Sequence, residues 1–256
     1  MYKIKFKDLI LVSNKKRISS KYETVFFFYG MGNSSNDFNF LIKKIDKKYQ
    51  LLIPELPGHN NDKFNSKFSL INYANSIVLF ILRNNLCNLF FFSHSVGGII
   101  PILIAKRIKQ KKKIIKFFNY EGNLSEYDTD TITKKTLSYD TKDFDEKFNN
   151  LIRRCEKSNQ SAIRLWSDSL KKTSSKAFYD LSKDSVFLSK KNILLQFFRT
   201  FFRRKLYMFG SNSRLKSSEF IFGSERLILN NTGHFAFYDD KTKFLSIFLK
   251  LIYNCK

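Results

Sequence analysis

The chain has 256 residues, 43% of them hydrophobic and 16% aromatic, which is enough apolar material for one large α/β domain and excludes a disordered chain. Its 46 Lys and Arg against 22 Asp and Glu give a formal net charge of +24. This charge indicates either attraction to nucleic acid, anionic membrane or acidic protein, or AT-rich codon usage, since Lys, Asn, Ile, Phe and Tyr are all abundant. We favour codon usage because the basic residues are dispersed and no nucleic-acid-binding motif accompanies them.

Cysteine usage and hydropathy exclude several further classes. Cys87, Cys155 and Cys255 are odd in number and widely spaced, which favours neither a disulfide framework nor a zinc site. The first residues lack the continuous apolar segment of a secretory signal. Residues 86–105 are apolar enough to suggest a membrane span, but a histidine, two serines and two glycines interrupt their centre. We therefore expect a cytoplasmic protein with no membrane span and no nucleic-acid partner.

Short continuous apolar runs predict buried strands, and apolar residues at helical spacing predict amphipathic helices. Up to residue 105 these patterns predict, in chain order, a strand at 25–29, a helix at 37–47, a strand at 49–53, a helix at 68–86, a strand at 89–93 and a helix at 96–105.

The pattern changes after the next predicted strand, at 114–120. Residues 125–203 are polar, with apolar positions at helical spacing, and predict a helical insertion. Strands then resume at 206–209 and 226–229, and a helix at 242–253 ends the chain. Alternating strands and helices predict an α/β fold with a mostly parallel sheet covered on both faces. The predicted core is residues 1–124 and 204–256, with residues 125–203 as a helical cap.

The most informative segment places a serine between a predicted strand and a predicted helix. Apolar residues 89–92 lead into Ser93-His94-Ser95-Val96-Gly97. A sharp strand-to-helix turn with serine at its corner is a nucleophile elbow, which lifts the hydroxyl above the sheet and needs small neighbours. The usual pattern is Gly-x-Ser-x-Gly, so Ser93 replaces the first glycine. The alternative interpretation is a packing corner without catalysis.

Four motifs in this order resemble those of the α/β-hydrolase superfamily, and they cover most of the chain outside 125–203. The resemblance implies that superfamily's fold, and it places the helical segment where those proteins carry a cap. The motifs are a His-Gly-x-Gly-like loop, an Asp-Leu-Pro-Gly-His-like loop, the elbow and a late Gly-His, which here read Tyr29-Gly30-Met31-Gly32, Glu55-Leu56-Pro57-Gly58-His59, Ser93-His94-Ser95-Val96-Gly97-Gly98 and Asn231-Thr232-Gly233-His234-Phe235.

The resemblance implies a role for residues in three of these motifs. Ser95 would be the nucleophile, and His234 the base that takes its proton. The backbone N–H groups of Met31 and Val96 would form the oxyanion hole.

The other two histidines are weaker candidates. We expect His94 to point away from Ser95 into the packing below, and His59 to shape its loop. No pair among the three histidines has metal-ligand spacing, so we expect neither a metal nor another cofactor.

The triad's acid departs from the superfamily's pattern. Its usual place, in the loop after the strand that follows the cap, is taken by Ser213, which cannot stabilise an imidazolium. Either the enzyme is degenerate or the acid comes from elsewhere, and we favour Glu121. It ends the strand beside the elbow strand, at the sheet edge where functional groups collect. Asp239 and Asp240 are alternatives that more simply begin the last helix.

The leading functional hypothesis is a serine hydrolase that cleaves a small-molecule carboxylic ester or thioester through an acyl-enzyme. A narrower version is an esterase whose acyl group is borne by an acidic carrier protein, as in cleavage of a biotin-precursor methyl ester, and it is motivated by the charge of +24. A third hypothesis is a non-catalytic binding protein of the same fold, motivated by Ser93 and Ser213.

Overall fold

The structure is a computed structural model that describes residues 1–65, 68–108, 114–129, 132–202, 204–213 and 226–254. Cys255 and Arg203, the last residue of the predicted cap, lie outside the described residues.

Eight strands form one sheet in the order β1-β2-β4-β3-β5-β6-β7-β8. The β1–β2 and β2–β4 pairs are antiparallel and all other pairs are parallel, as the alternation of strands and helices predicts. Central strands are apolar on both faces because helices cover both sides. The strands are β1 (Tyr2–Phe6), β2 (Leu9–Ser13), β3 (Glu23–Phe28), β4 (Tyr49–Pro54), β5 (Leu89–His94), β6 (Ile114–Tyr120), β7 (Lys205–Gly210) and β8 (Arg226–Leu229).

The first two strands are absent from the sequence prediction. In β1, Lys3 and Lys5 alternate with apolar residues, and the strand lies exposed at the edge of the sheet. A search for continuous apolar runs finds strands buried on both faces and misses such an edge strand.

Ten α-helices surround the sheet in the described part of the chain, and none of them is long and apolar enough to cross a membrane. The predicted cytoplasmic location stays a prediction. The helices are α1 (Asn39–Lys44), α2 (Leu70–Arg83), α3 (Ile99–Arg107), α4 (Ile132–Leu137), α5 (Phe144–Glu156), α6 (Ser161–Leu170), α7 (Ser175–Ser189), α8 (Ile193–Phe201), α9 (Ala236–Asp239) and α10 (Lys241–Tyr253).

Two predicted helices begin as tighter turns. The segment predicted at 37–47 is a 3-10 turn over Ser35–Phe38 followed by the short α1. The elbow likewise continues as a 3-10 turn over Ser95–Gly98 before α3 begins at Ile99. The first turn follows the loop that begins at Tyr29, and the second follows β5 directly.

Helices α4 to α8 all lie between β6 and β7, where the sequence predicts a helical insertion. We refer to residues 125–202 as the cap segment. Aromatic side chains hold its helices together: the Phe178 ring on α7 lies 5.0 Å from that of Phe148 and 6.4 Å from that of Phe144, both on α5. These buried rings give the cap segment an apolar core of its own, while its boundaries as a separate domain stay a prediction.

The elbow rests on a close approach of two backbones. A Cβ atom added to Gly97 would lie 2.3 Å from the carbonyl oxygen of Phe28 at the end of β3. Backbone atoms cannot move aside as the end of a flexible side chain can. Gly97 is therefore required for the elbow to sit against β3.

We expect Gly97→Ala to lower the free energy of unfolding by at least about 2 kcal/mol, because the new methyl group overlaps this backbone. Gly233→Ala is the matched control, since the nearest atom to its added Cβ is 3.7 Å away, and we expect it to change stability by less than about 0.5 kcal/mol. Urea unfolding followed by circular dichroism measures both. Equal losses in the two variants would show that the close approach at Gly97 does not limit stability.

Candidate active site

Ser95 sits at the corner between β5 and α3 with a φ of 54°, in the left-handed region that non-glycine residues rarely adopt. Such a conformation costs about 1–3 kcal/mol and persists where the surrounding structure enforces it. Its side chain is only half-buried, although the strand that leads to it is fully buried. This geometry is the strand–turn–helix that the motif predicts.

Ser93 departs from the usual elbow pattern, and its hydroxyl is hydrogen-bonded to the neighbouring strand β6. It is fully buried, and its hydroxyl donates a hydrogen bond of 2.7 Å to Oδ1 of Asn119. The two residues are register partners on β5 and β6. The serine therefore replaces glycine without leaving an unpaired hydroxyl in the core.

Glu121 and His234 are in direct contact. Oε2 of Glu121 lies 2.8 Å from Nδ1 of His234, and the Glu121 side chain is fully buried while that of His234 is 39% exposed. With Nδ1 facing the carboxylate, Nε2 is the ring nitrogen left to exchange protons with a nucleophile.

Glu121 also makes two hydrogen bonds to the end of β7. Its side-chain Oε1 accepts the backbone N–H of Gly210 at 2.8 Å, and its backbone N–H donates to the carbonyl of Met208 at 2.8 Å. Glu121 has a φ of 44°, a second left-handed residue in the site. An acid from the end of β6 thus reaches His234 across the loop in which the superfamily's acid usually stands.

The two alternative acids make other contacts. Oδ2 of Asp239 accepts the backbone N–H of Gly233 at 2.7 Å, and Oδ1 of Asp240 accepts that of Lys243 at 2.9 Å. Asp240 thereby caps the start of α10, as expected of an Asp before a helix. Asp239 is instead the last residue of α9, so the expectation that it begins the last helix is wrong.

The loop that carries His234 is fixed by two buried side chains. Nε2 of His94 donates to the backbone carbonyl of His234 at 2.8 Å, and the hydroxyl of Tyr120 donates to that of Gly233. Burial, together with the nearby His234, holds the pKa of His94 well below its usual range. His94 is thus buried and neutral, lies beside the candidate base with a ring-centroid distance of 4.6 Å, and orients the loop of that base.

The Tyr29–Gly32 loop lies against the elbow. A Cβ atom on Gly30 would lie 2.7 Å from Cβ of Ser95, which brings the backbone of this loop beside the serine. Met31 and Val96, the predicted oxyanion-hole residues, directly follow Gly30 and Ser95 in the chain, and both are buried. At the carboxyl edge of the sheet the structure thus shows two contacts among the predicted site residues and their loops, Gly30 with Ser95 and Glu121 with His234.

His59 touches the same loop, and this agrees with its predicted role. Its Nε2 accepts the backbone N–H of Gly32 at 3.0 Å, and its Nδ1 lies 3.2 Å from the carbonyl oxygen of Pro57. The side chain is fully buried, and burial lowers its pKa to about 4.

Trp166, on α6 of the cap segment, contacts both the loop of Met31 and the loop of His234. Its ring stacks on that of Phe235 at 5.2 Å, and its Nε1 donates to the carbonyl of Met31 at 3.3 Å. Sequence reasoning treats it as one apolar position of a cap helix. The signal that could have singled it out is that it is the chain's one tryptophan.

No protein-family profile matches the chain. Two curated proteins of Mycoplasma pneumoniae match part of it. "Putative esterase/lipase 2" is 27% identical over 92 residues, which cover 35% of this chain and 34% of that protein. "Putative esterase/lipase 3" is 29% identical over 138 residues, or 50% of each. The chain thus spans half the length, or less, of these curated relatives.

Solved structures match over nearly the whole chain. A carboxylesterase of Nitrososphaera gargenis aligns with a TM-score of 0.73 at 12% identity, covering 99% of this chain and 98% of that one. An esterase from Exiguobacterium antarcticum aligns with a TM-score of 0.71 at 14% identity, covering 96% and 95%. At these identities the likeness establishes the fold. The predicted α/β-hydrolase fold is confirmed.

The buried, neutral His59 predicts how stability depends on pH. Its pKa rises from about 4 in the folded protein toward the usual 6.5 on unfolding, so the unfolded chain binds more protons between these values. Its contribution is complete above pH 6.5 and is lost as the pH falls to about 4. We expect the free energy of unfolding of the wild type to fall over this window by about 3 kcal/mol more than that of His59→Gln.

Urea unfolding at closely spaced pH values between 4 and 7 measures the difference. The other titrating groups are common to both proteins, so their effects cancel in the comparison. Parallel stability curves for the two proteins would contradict the prediction.

Proposed function

We propose that this chain, with its α/β-hydrolase fold, is a serine hydrolase that cleaves carboxylic esters or thioesters. Ser95 is the nucleophile, His234 the general base and Glu121 the acid, and the N–H groups of Met31 and Val96 form the oxyanion hole. The observation that carries the proposal is the 2.8 Å contact between a fully buried Glu121 and Nδ1 of a half-exposed His234. A buried carboxylate on that nitrogen orients the imidazole and stabilises its protonated form.

The proposed reaction has two steps. The Ser95 hydroxyl attacks the carbonyl carbon while Nε2 of His234 takes its proton, and the two backbone N–H groups bind the resulting oxyanion. His234 then returns the proton to the leaving alcohol or thiol as its bond to carbon breaks, which leaves an acyl-enzyme. A water molecule attacks this ester in the same way and releases the acid.

The comparisons support the class of this reaction. The names of the two partial relatives, and the descriptions of both solved structures, are those of esterases, lipases or carboxylesterases. Placing the acid at the end of β6 accounts for Ser213 without invoking a degenerate site. The acyl and alcohol groups of the substrate are chosen by surfaces that the triad does not define.

The triad assignment predicts a graded series of activities. We expect Ser95→Ala to abolish cleavage of p-nitrophenyl esters and labelling by a fluorophosphonate probe. Glu121→Gln should lower kcat by about 10²–10⁴-fold, because the neutral amide no longer stabilises the imidazolium. Asp239→Asn is the matched carboxylate control, and we expect it to change kcat by less than about 3-fold because its amide oxygen still accepts the N–H of Gly233.

Two outcomes would overturn these assignments. Near-wild-type activity of Glu121→Gln would remove that residue from the triad. A folded wild-type protein that no fluorophosphonate labels would favour the non-catalytic binding protein instead.

One surface supports a second candidate, an esterase acting on an acyl group borne by an acidic carrier protein. A groove of about 500 Å³ runs along α5 of the cap segment, and it is lined by Tyr139, Lys147, Asn150, Arg153, Arg154 and Lys157. Cations are common in the last turn of a helix, where Arg153 and Arg154 lie. Lys147 lies in the first turn, where that preference does not hold. Asp145 and Glu146 share that first turn, so the positive charge offered to an acidic partner is that of the four cations lining the groove and not of α5 as a whole.

A charge reversal tests this candidate. We expect Arg153→Glu combined with Arg154→Glu to lower kcat/KM for an acyl-carrier substrate by about tenfold or more at low salt, through a slower association rate. Cleavage of a small ester should stay the same. Lys3→Glu combined with Lys5→Glu, at exposed positions of β1, changes the net charge equally and is the control. Equal effects from both pairs would remove the groove as a carrier-binding surface.

A further inference from the structure

One peptide group in the Tyr29–Gly32 loop is held from both sides by ring nitrogens. The carbonyl oxygen of Met31 accepts a hydrogen bond of 3.3 Å from Nε1 of Trp166. The N–H of Gly32, on the other side of the same peptide bond, donates a hydrogen bond of 3.0 Å to Nε2 of His59. The two rings come from separate parts of the chain, the cap segment and the loop after β4.

The His59 contact requires one form of the imidazole. Because the carbonyl of Pro57 can only accept, Nδ1 at 3.2 Å from it carries the proton, and Nε2 presents its lone pair to Gly32. Protonation of Nε2 would place two donors face to face. The fully buried site favours the neutral ring, so the acceptor is present at neutral pH.

The surroundings of Gly32 pack closely around this peptide. Gly32 has a φ of +77°, and an added Cβ would lie 2.8 Å from both Cδ1 of Leu170 and Nε1 of Trp166. Rotation of the Met31–Gly32 peptide would break both hydrogen bonds and leave two buried ring nitrogens unpaired. The conformation of Met31 is thus set by its neighbours and not by the loop alone.

We infer that His59 and Trp166 are positioning residues that clamp the Met31–Gly32 peptide and thereby aim the preceding N–H, that of Met31, at the substrate oxyanion. This inference rests on the proposed function. An oxyanion donor is effective only when it is oriented before the charge develops. Since Trp166 belongs to the cap segment and also stacks on Phe235 beside His234, the oxyanion hole is complete only when α6 is seated on the core.

Two amide substitutions at residue 59 test whether the hydrogen-bond acceptor for Gly32 is what matters, apart from the rest of the imidazole ring. In His59→Gln the amide oxygen can occupy the place of Nε2 and still accept from Gly32. In His59→Asn the shorter amide can reach only the place of Nδ1 and serve Pro57. We expect His59→Gln to keep kcat within about 3-fold of wild type. We expect His59→Asn to lower kcat by about 10–100-fold with little change in KM. This loss is smaller than that expected when a whole oxyanion donor is removed.

Trp166→Phe provides a second variant should His59→Asn fail to fold. It keeps an aromatic ring for stacking on Phe235 and removes the N–H that holds Met31, so we expect kcat to fall by about tenfold. The rate of fluorophosphonate labelling of Ser95 should fall in parallel, because the phosphonyl oxygen uses the same hole.

The results distinguish this inference from the proposed function. If wild type is active and either His59→Asn or Trp166→Phe matches its kcat while folded, the clamp is overturned and the hydrolase proposal stands. If folded wild type neither cleaves esters nor reacts with the probe, the hydrolase proposal fails. The catalytic role of the clamp then fails as well, because it rests on that proposal. A ¹⁵N NMR spectrum that shows Nε2 of His59 protonated at neutral pH would overturn the clamp whatever the activity.

Discussion

The site depends on one steric constraint, the contact of the elbow's backbone with the end of β3. Gly97 can lie against the carbonyl of Phe28 only because it lacks a Cβ atom, and Gly30 allows the facing loop to approach Ser95 for the same reason. Once these backbones touch, Ser95 is held in its left-handed conformation with its hydroxyl at the sheet's carboxyl edge. Glu121 and His234 reach the same edge because each follows the end of its own strand, β6 and β8.

The carboxylate that contacts His234 belongs to Glu121, at the end of a different strand from the one that usually precedes the superfamily's acid. Strand β6 pairs with β5 on one side and β7 on the other, so Glu121, the residue after its end, lies near the ends of both neighbours. The carboxylate accepts from Gly210 on β7 and contacts His234 beyond β8. A left-handed turn directs the side chain toward this loop, where a serine stands at the superfamily's usual acid position. The carboxylate that contacts His234 therefore comes from the end of β6 and not from the loop after β7.

Residues that follow directly from local rules are predictable from the sequence. Ser95, Glu121 and His234 each end or follow a recognisable strand, and parallel strands bring their carboxyl ends to one edge. The antiparallel β1 is not predictable in this way, because this edge strand carries lysines along its exposed positions. By contrast, β2 is a continuous apolar run that the same rule could have found. Trp166 also escapes prediction, since its hydrogen bond to Met31 spans 135 residues and depends on how α6 packs on the core. Local patterns specify strands and turns, whereas contacts of this kind require the tertiary fold.

The buried carboxylates bear on how the charge of +24 is to be interpreted. Glu121 and Glu55 are both nearly inaccessible to solvent. Glu121 is hydrogen-bonded by a backbone N–H and an imidazole, and Glu55 by hydroxyl, amide and backbone N–H groups of Tyr29, Asn60 and Ser35. None of these hydrogen bonds comes from a lysine or arginine. A functional use of the charge can be tested at the groove along α5 of the cap segment, which is lined by Lys147, Arg153, Arg154 and Lys157.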